Sequence, residues 1–155
     1  MHVSKTYAAI IGGTSLLLSS IVVATDFGTS EEARSMLESA IVAMQQDKDA
    51  ALKAFTEGSD GFRDRDLYVT CFVIDGPDDG LLTAHGGMSE LVGTSGYDLT
   101  DKNGTNMGEL LSHDTQGAIM TATYWWPRPG STEPVEKESY YTTIGDQNCL
   151  VGYYR

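Results

Sequence analysis

"LYVTCFVID" (residues 67–75) is a β-rich run whose apolar residues fall on both parities, the pattern of a central strand buried on both faces. Everything else in the chain arranges itself around it. "DGPDDG" (75–80) is turn chemistry, with proline and glycine punctuating acidic residues. "LLTAH" (81–85) returns as a second strand, so the pair reads as a hairpin. Three more strands follow further on: "GAIMTATYWW" (117–126), "VEKESYYTTI" (135–144) and "QNCLVGYY" (147–154). Between the two groups lie the glycine-bounded helical segment "GGMSELVG" (86–93), the turn "DKNG" (101–104), and the short helix "MGELLSHDT" (107–115) opened by Asn106 with Glu109.

Upstream stands the clearest helix, "TSEEARSMLESAIVAMQQ" (29–46). Thr29 and Glu32 form a capping-box pattern, and Glu31 and Glu32 put negative charge on the positive end of the helix dipole. Ala33, Met36, Leu37, Ala40, Ile41 and Met44 recur at the spacing of one buried face. A second helical stretch runs from Asp49 through Phe55 and stops at Gly58. The order is helix, two strands, short helices, three strands. That order predicts an α+β domain with a five-stranded antiparallel sheet, the long N-terminal helix behind it and short helices between strands two and three, a PAS-like arrangement.

The first residues differ from the rest. Lys5 precedes an uncharged run from Tyr7 to Ala24 that ends in small residues, which describes a secretory signal peptide over residues 1–24 with cleavage after Ala24. An uncleaved membrane anchor is the alternative, since the run approaches the ~18–20 residues that span a bilayer. Residues 25–155 then form one exported domain. Loss of Lys5 leaves nine of the 10 Lys plus Arg residues against 22 Asp plus Glu, a formal charge of −13 in place of −12. Such a surface repels phosphate backbones, and no nucleic-acid partner is expected.

Cys71 and Cys149 are the two cysteines of the chain. An oxidising compartment favours a bridge, which requires their strands to be neighbours; two buried free thiols are the alternative. Catalytic signatures are absent: no GxSxG, HExxH, Walker loop or paired CxxC occurs. His85 ends a strand before Gly86-Gly87, and His113 lies beside Asp114 as a surface residue. The acidic loops at Asp75–Asp79 and Asp101–Glu109 do not match a calcium-binding loop and read as turns. No enzyme, metal or cofactor is expected.

The aromatics remain. In "ATYWWPRPGST" (122–132), strand parity puts Tyr124 and Trp126 on one face and Trp125 on the other. The next strand carries Lys137, Tyr140 and Tyr141. A lysine among phenols and an indole suits a small pocket for an anion; an amphipathic hairpin with Lys137 in solvent is the alternative.

Taken in order, "FRDRDLYVTCFVID", "LLTAHGGMSELVGTSGYDLTDKNG", "YWWPRPGSTEPVEKESYY" and "IGDQNCLVGYY" resemble the single Cache family over roughly residues 31–155. The resemblance implies an extracytoplasmic small-molecule sensor, commonly of short carboxylates, with a PAS-like sheet. Carried over to this sequence, it assigns ligand contacts to Tyr124, Trp126, Lys137, Tyr140 and His85. It also makes the first and last strands neighbours, which favours a Cys71–Cys149 disulfide. One departure is Trp125, where similar sequences often have a basic or small residue. No output domain follows Arg155 in this sequence, so a standalone sensor would hand its signal to a membrane receptor or signalling protein, or act as a carrier. A ligand-free interaction module binding through the aromatic hairpin is the competing function, and a hydrolase using His85 or His113 a third.

Overall fold

The computed structural model describes residues 26–155; the expected leader and its cleavage site lie outside the described residues. Helix α1 (Ser30–Gln46) opens with the expected capping box: the Glu32 amide donates to Thr29 Oγ1, and the Thr29 amide donates to Glu32 Oε2 at 2.8 Å. Asp47 ends α1 and caps α2 (Lys48–Glu57), which closes at Gly58 with φ of 68°. Among the described residues no helix is long and apolar enough to cross a membrane.

The sheet is antiparallel, in the order β1-β2-β6-β5-β4, with β3 also pairing β2. Its strands are β1 (Arg63–Asp64), β2 (Leu67–Val73), β3 (Leu82–His85), β4 (Met120–Pro127), β5 (Pro134–Ile144) and β6 (Gln147–Tyr154). β2 sits centrally as expected, with β6 on one side and β1 and β3 sharing the other. The two-residue β1 is a sixth strand that the sequence pattern did not announce. It folds back through Arg65, whose φ is 54°, a conformation usually signalled by glycine or asparagine.

Parity on β2 and β6 divides the interior into two cores. Leu67, Val69, Cys71, Cys149 and Val151 face α1 and pack against Ala33, Met36, Leu37, Ala40, Met44 and Phe55. Cys71 and Cys149 are register partners with Cα atoms 4.1 Å apart, and they form a disulfide. The opposite face packs Phe72, Leu82, Tyr124, Tyr141 and Leu150 against Met107 and Leu111 of α3 (Met107–Leu111). This second face is covered by residues 86–111, which include short 3-10 turns at Ser89–Leu91 and Gly96–Asp98. Helix in the long element and cap on the far side are the layers of an α+β domain.

Candidate functional site

Between the sheet and its cap lies a cavity of about 40 Å³, where a single water needs roughly 10–15 Å³. Its walls divide by chemistry. Phe72, Leu82, Leu99, Met107, Leu111 and Leu150 make an apolar end, while Tyr68, Thr70, His85, Tyr124 and Lys137 bring polar atoms. Alternation explains why the polar set converges. With Val69 and Cys71 turned to α1, Tyr68 and Thr70 must turn to the cap, and pairing of Tyr124 with Lys137 and of Lys137 with Tyr154 aligns β4, β5 and β6 beside them.

Lys137 lies at the centre and is only 2% exposed. Its ammonium nitrogen stands 3.9 Å from the centroid of the Tyr68 ring and 4.8 Å from that of Tyr154. To reach them the side chain crosses β6 over Gly152. A Cβ at that glycine would fall 2.4 Å from Lys137 Cε and 2.2 Å from Ser139 Oγ, so a larger residue has no room there. Among the described residues Lys137 makes no hydrogen bond and no ion pair. Burial pulls its amine down to about 7, an effect the charge of Asp66 opposes.

His85 is likewise buried. Its Nδ1 accepts the Met88 amide at 2.8 Å, which leaves Nε2 to carry the proton, and the ring lies against Tyr68 with centroids 5.0 Å apart. Burial, with the neighbouring Lys137, lowers it to about 3, so the imidazole is neutral. Tyr124 shares a 2.8 Å hydrogen bond with Ser139, and burial raises its phenol to about 12 despite that bond. Burial also raises the Tyr68 phenol, with Tyr154 and Tyr124 adding to the effect. The site therefore presents donors (Nε2–H, phenols, a hydroxyl and an amine) and contains no carboxylate.

Four of the five residues proposed from sequence meet here. Trp126 is half-buried at the rim, edge-on to Tyr124 with centroids 6.4 Å apart. Tyr140 does not belong to the cavity. It is three residues from Lys137, so it projects from the other face, where its hydroxyl bonds Ser30 at 2.7 Å and its ring stacks on Tyr153, inclined by 28°, beneath Arg34. Trp125 also faces away, its ring under Lys102 with Nζ 3.0 Å from the centroid. Sequence reasoning missed Tyr68, Thr70, Tyr154 and Gly152. The signal was present in the parity of Tyr68 and Thr70 against Cys71, and in a glycine inside the final strand.

Asp101, read as a plain turn residue, fastens the cap. Its Oδ1 accepts the amides of Asn103 and Thr105, and its Oδ2 accepts the Trp125 amide from the outer edge of β4 at 3.0 Å. Burial would raise this carboxyl, but the backbone amides of Thr105, Trp125 and Asn103 outweigh it and hold the group below the usual range. No group of three or more His, Cys, Asp or Glu among the described residues could hold a metal.

The sequence profile of the family described as Single Cache domain 2 matches residues 23–154. The chain belongs to that family. Solved Cache sensor domains share the fold. A methyl-accepting chemotaxis protein from Vibrio parahaemolyticus RIMD 2210633 is 20% identical with a TM-score of 0.62, covering 80% of this chain and 86% of that one. The periplasmic sensor domain of a chemotaxis protein is 22% identical with a TM-score of 0.60, covering 80% and 88%. A Cache chemosensory domain solved for its recognition of carboxylic acids is 21% identical with a TM-score of 0.63, covering 81% and 92%. No curated protein matches the chain. Cache domains are sensing and binding modules, and the antiparallel sheet and long first helix of this chain are the Cache architecture.

Proposed function

We propose that this Cache domain binds a small organic anion of the short-carboxylate class in the capped cavity, outside the cytoplasm, and passes the signal to another protein. The observation that carries this reading is Lys137: a buried amine with no hydrogen-bond or ion-pair partner among the described residues, facing a cavity whose other polar groups can all donate hydrogen bonds. Groups able to donate, converging on a space that holds no carboxylate, are complementary to an anion. The anion's oxygens sit beside Lys137, the His85 Nε2–H and the Thr70 hydroxyl, and its carbon chain points to Leu111 and Leu150. A cavity of about 40 Å³ admits a chain of only a few heavy atoms. Similarity to the domain solved with carboxylic acid recognition supports the same class. The uncharged run after Lys5 and the Cys71–Cys149 bridge support export.

The aromatic hairpin speaks against a purely protein-binding role, because Tyr124 and Trp126 turn inward and Lys102 covers Trp125. Thermal shift against formate, acetate, propionate, lactate, amino acids and purines tests the reading. A ligand at a hundred times its dissociation constant adds about 2.7 kcal/mol of stability. Stabilisation by short carboxylates that is lost in Lys137→Gln supports it; a panel without any stabilising anion sinks it.

A further inference from the structure

We propose that the cavity takes up its carboxylate together with one proton, which ends on Lys137 Nζ, so that the domain reports a weak monocarboxylic acid rather than a free anion. This inference rests on the carboxylate reading above and adds how charge is balanced there. The net event joins RCOO⁻, H⁺ and the neutral lysine amine into one RCOO⁻···H₃N⁺ pair; no covalent bond other than N–H forms.

The geometry supplies the reasons. Among the cavity's walls Lys137 is the one lysine or arginine, and it forms no ion pair with a carboxylate among the described residues. The acid whose charge acts on it, Asp66, is already committed. Its Oδ1 accepts the Gly28 amide at 2.7 Å and its Oδ2 accepts Arg128 Nε at 3.1 Å. Arg128 in turn stacks between Phe27 and Tyr154 and stays with Asp66. The groups facing Lys137 from the other strands are Tyr68 on β2, His85 on β3, Tyr124 on β4 and Tyr154 on β6. None carries negative charge, since burial raises the phenols of Tyr68, Tyr124 and Tyr154 and keeps His85 neutral. The cap contributes Leu99, Met107, Gly108 and Leu111, all uncharged.

An ammonium alone in such surroundings is costly, and so is a carboxylate alone; the hydrogen-bonded pair is net neutral and satisfies both. The amine's fall to about 7 on burial agrees with this order of events. Below that pH the amine is already charged, and a carboxylate binds without proton uptake. Above it, each bound carboxylate must bring its proton from solvent. The same count of charges disfavours dicarboxylates, whose second charge would find no cation in the cavity.

Acetate is the probe, titrated into the full chain by calorimetry at pH 6, 7, 8 and 9 in buffers of contrasting ionisation enthalpy. The expected result is uptake close to one proton per acetate at pH 8–9 and near none at pH 6, with affinity falling about tenfold per pH unit above 7. Acetamide, which is neutral, serves as a control that takes up no proton. Lys137→Arg, permanently charged, should bind acetate with no pH dependence over this range. Acetate binding with one affinity from pH 6 to 9 and no proton uptake would overturn the inference while leaving the carboxylate reading intact. Failure of acetate and of every short carboxylate to bind at any of these pH values would remove both. The calorimetry on the unsubstituted protein decides the matter even where Lys137→Arg does not fold.

Discussion

Gly152→Ala probes the support of the cavity by crowding Lys137 rather than replacing it. The backbone of Gly152 does not have positive φ, so its side-chain hydrogen is required by space alone. An alanine Cβ would lie 2.2 Å from Ser139 Oγ, 2.4 Å from Lys137 Cε and 3.1 Å from the Glu138 carbonyl oxygen. Overpacking of this kind costs about 1–3 kcal/mol, while replacing a strand glycine returns roughly 0.5–1 kcal/mol of chain entropy. The net expected loss is about 1–2 kcal/mol, or roughly 3–8 °C in Tm for a domain of this size. The carbonyl cannot retreat, so the lysine must, and it leaves the faces of Tyr68 and Tyr154. Urea unfolding reads the stability and calorimetry reads acetate affinity, which should fall by tenfold or more. Adding Ser139→Ala removes the tightest contact, so the double variant should recover stability relative to the sum of the single losses. A Gly152→Ala protein as stable as the parent, binding acetate normally, would refute the claim that Lys137 crosses β6 over this glycine.

Other expectations follow from the same structure. Replacing Cys71 and Cys149 by alanine opens a bridge spanning 78 residues and should cost about 3–4 kcal/mol; a change below 1 kcal/mol in denaturant unfolding would contradict it. The folded Lys137 amine releases its proton near 7, whereas the unfolded one holds it to about 10.4. Between those values the unfolded chain binds more protons, so stability rises with pH, and Lys137→Met should abolish that slope; superimposable curves for the two proteins would refute it. Asp101→Ala leaves the amides of Asn103, Thr105 and Trp125 without their acceptor and should cost about 2 kcal/mol, with faster hydrogen exchange at Trp125 and Thr105. Because the folded Asp101 carboxyl is held low, its contribution is present above the unfolded value near 3.9 and is lost as pH falls through the folded one. An unchanged exchange rate at Trp125 would contradict the latch.

Local patterns in the sequence determined a good deal. Thr29 and Glu32 started α1 because cap chemistry acts within one helical turn, and its apolar stripe named the residues that pack beneath it. Alternation placed Tyr124 and Trp126 on one face and Trp125 on the other, since a strand turns each successive side chain over. The same rule, applied to the spacing of Lys137 and Tyr140, already separated them; carrying a family pattern across residue by residue obscured that. β1 was illegible because Arg65 adopts positive φ without a residue type that advertises it.

Tertiary structure decided the rest. Whether Lys137 is solvated or buried depends on how β6 lies between β2 and β5, which no segment of the chain encodes by itself. Pairing across β6 brings Tyr68, Tyr154 and Lys137 together from distant positions, and Gly152 leaves the space through which the lysine reaches across. The cap then buries the amine, and that desolvation lowers its proton affinity and gives a lone lysine its chemistry. Residue types and their alternation are local properties readable in one dimension; desolvation is a property of everything packed around a group, and exists only in three.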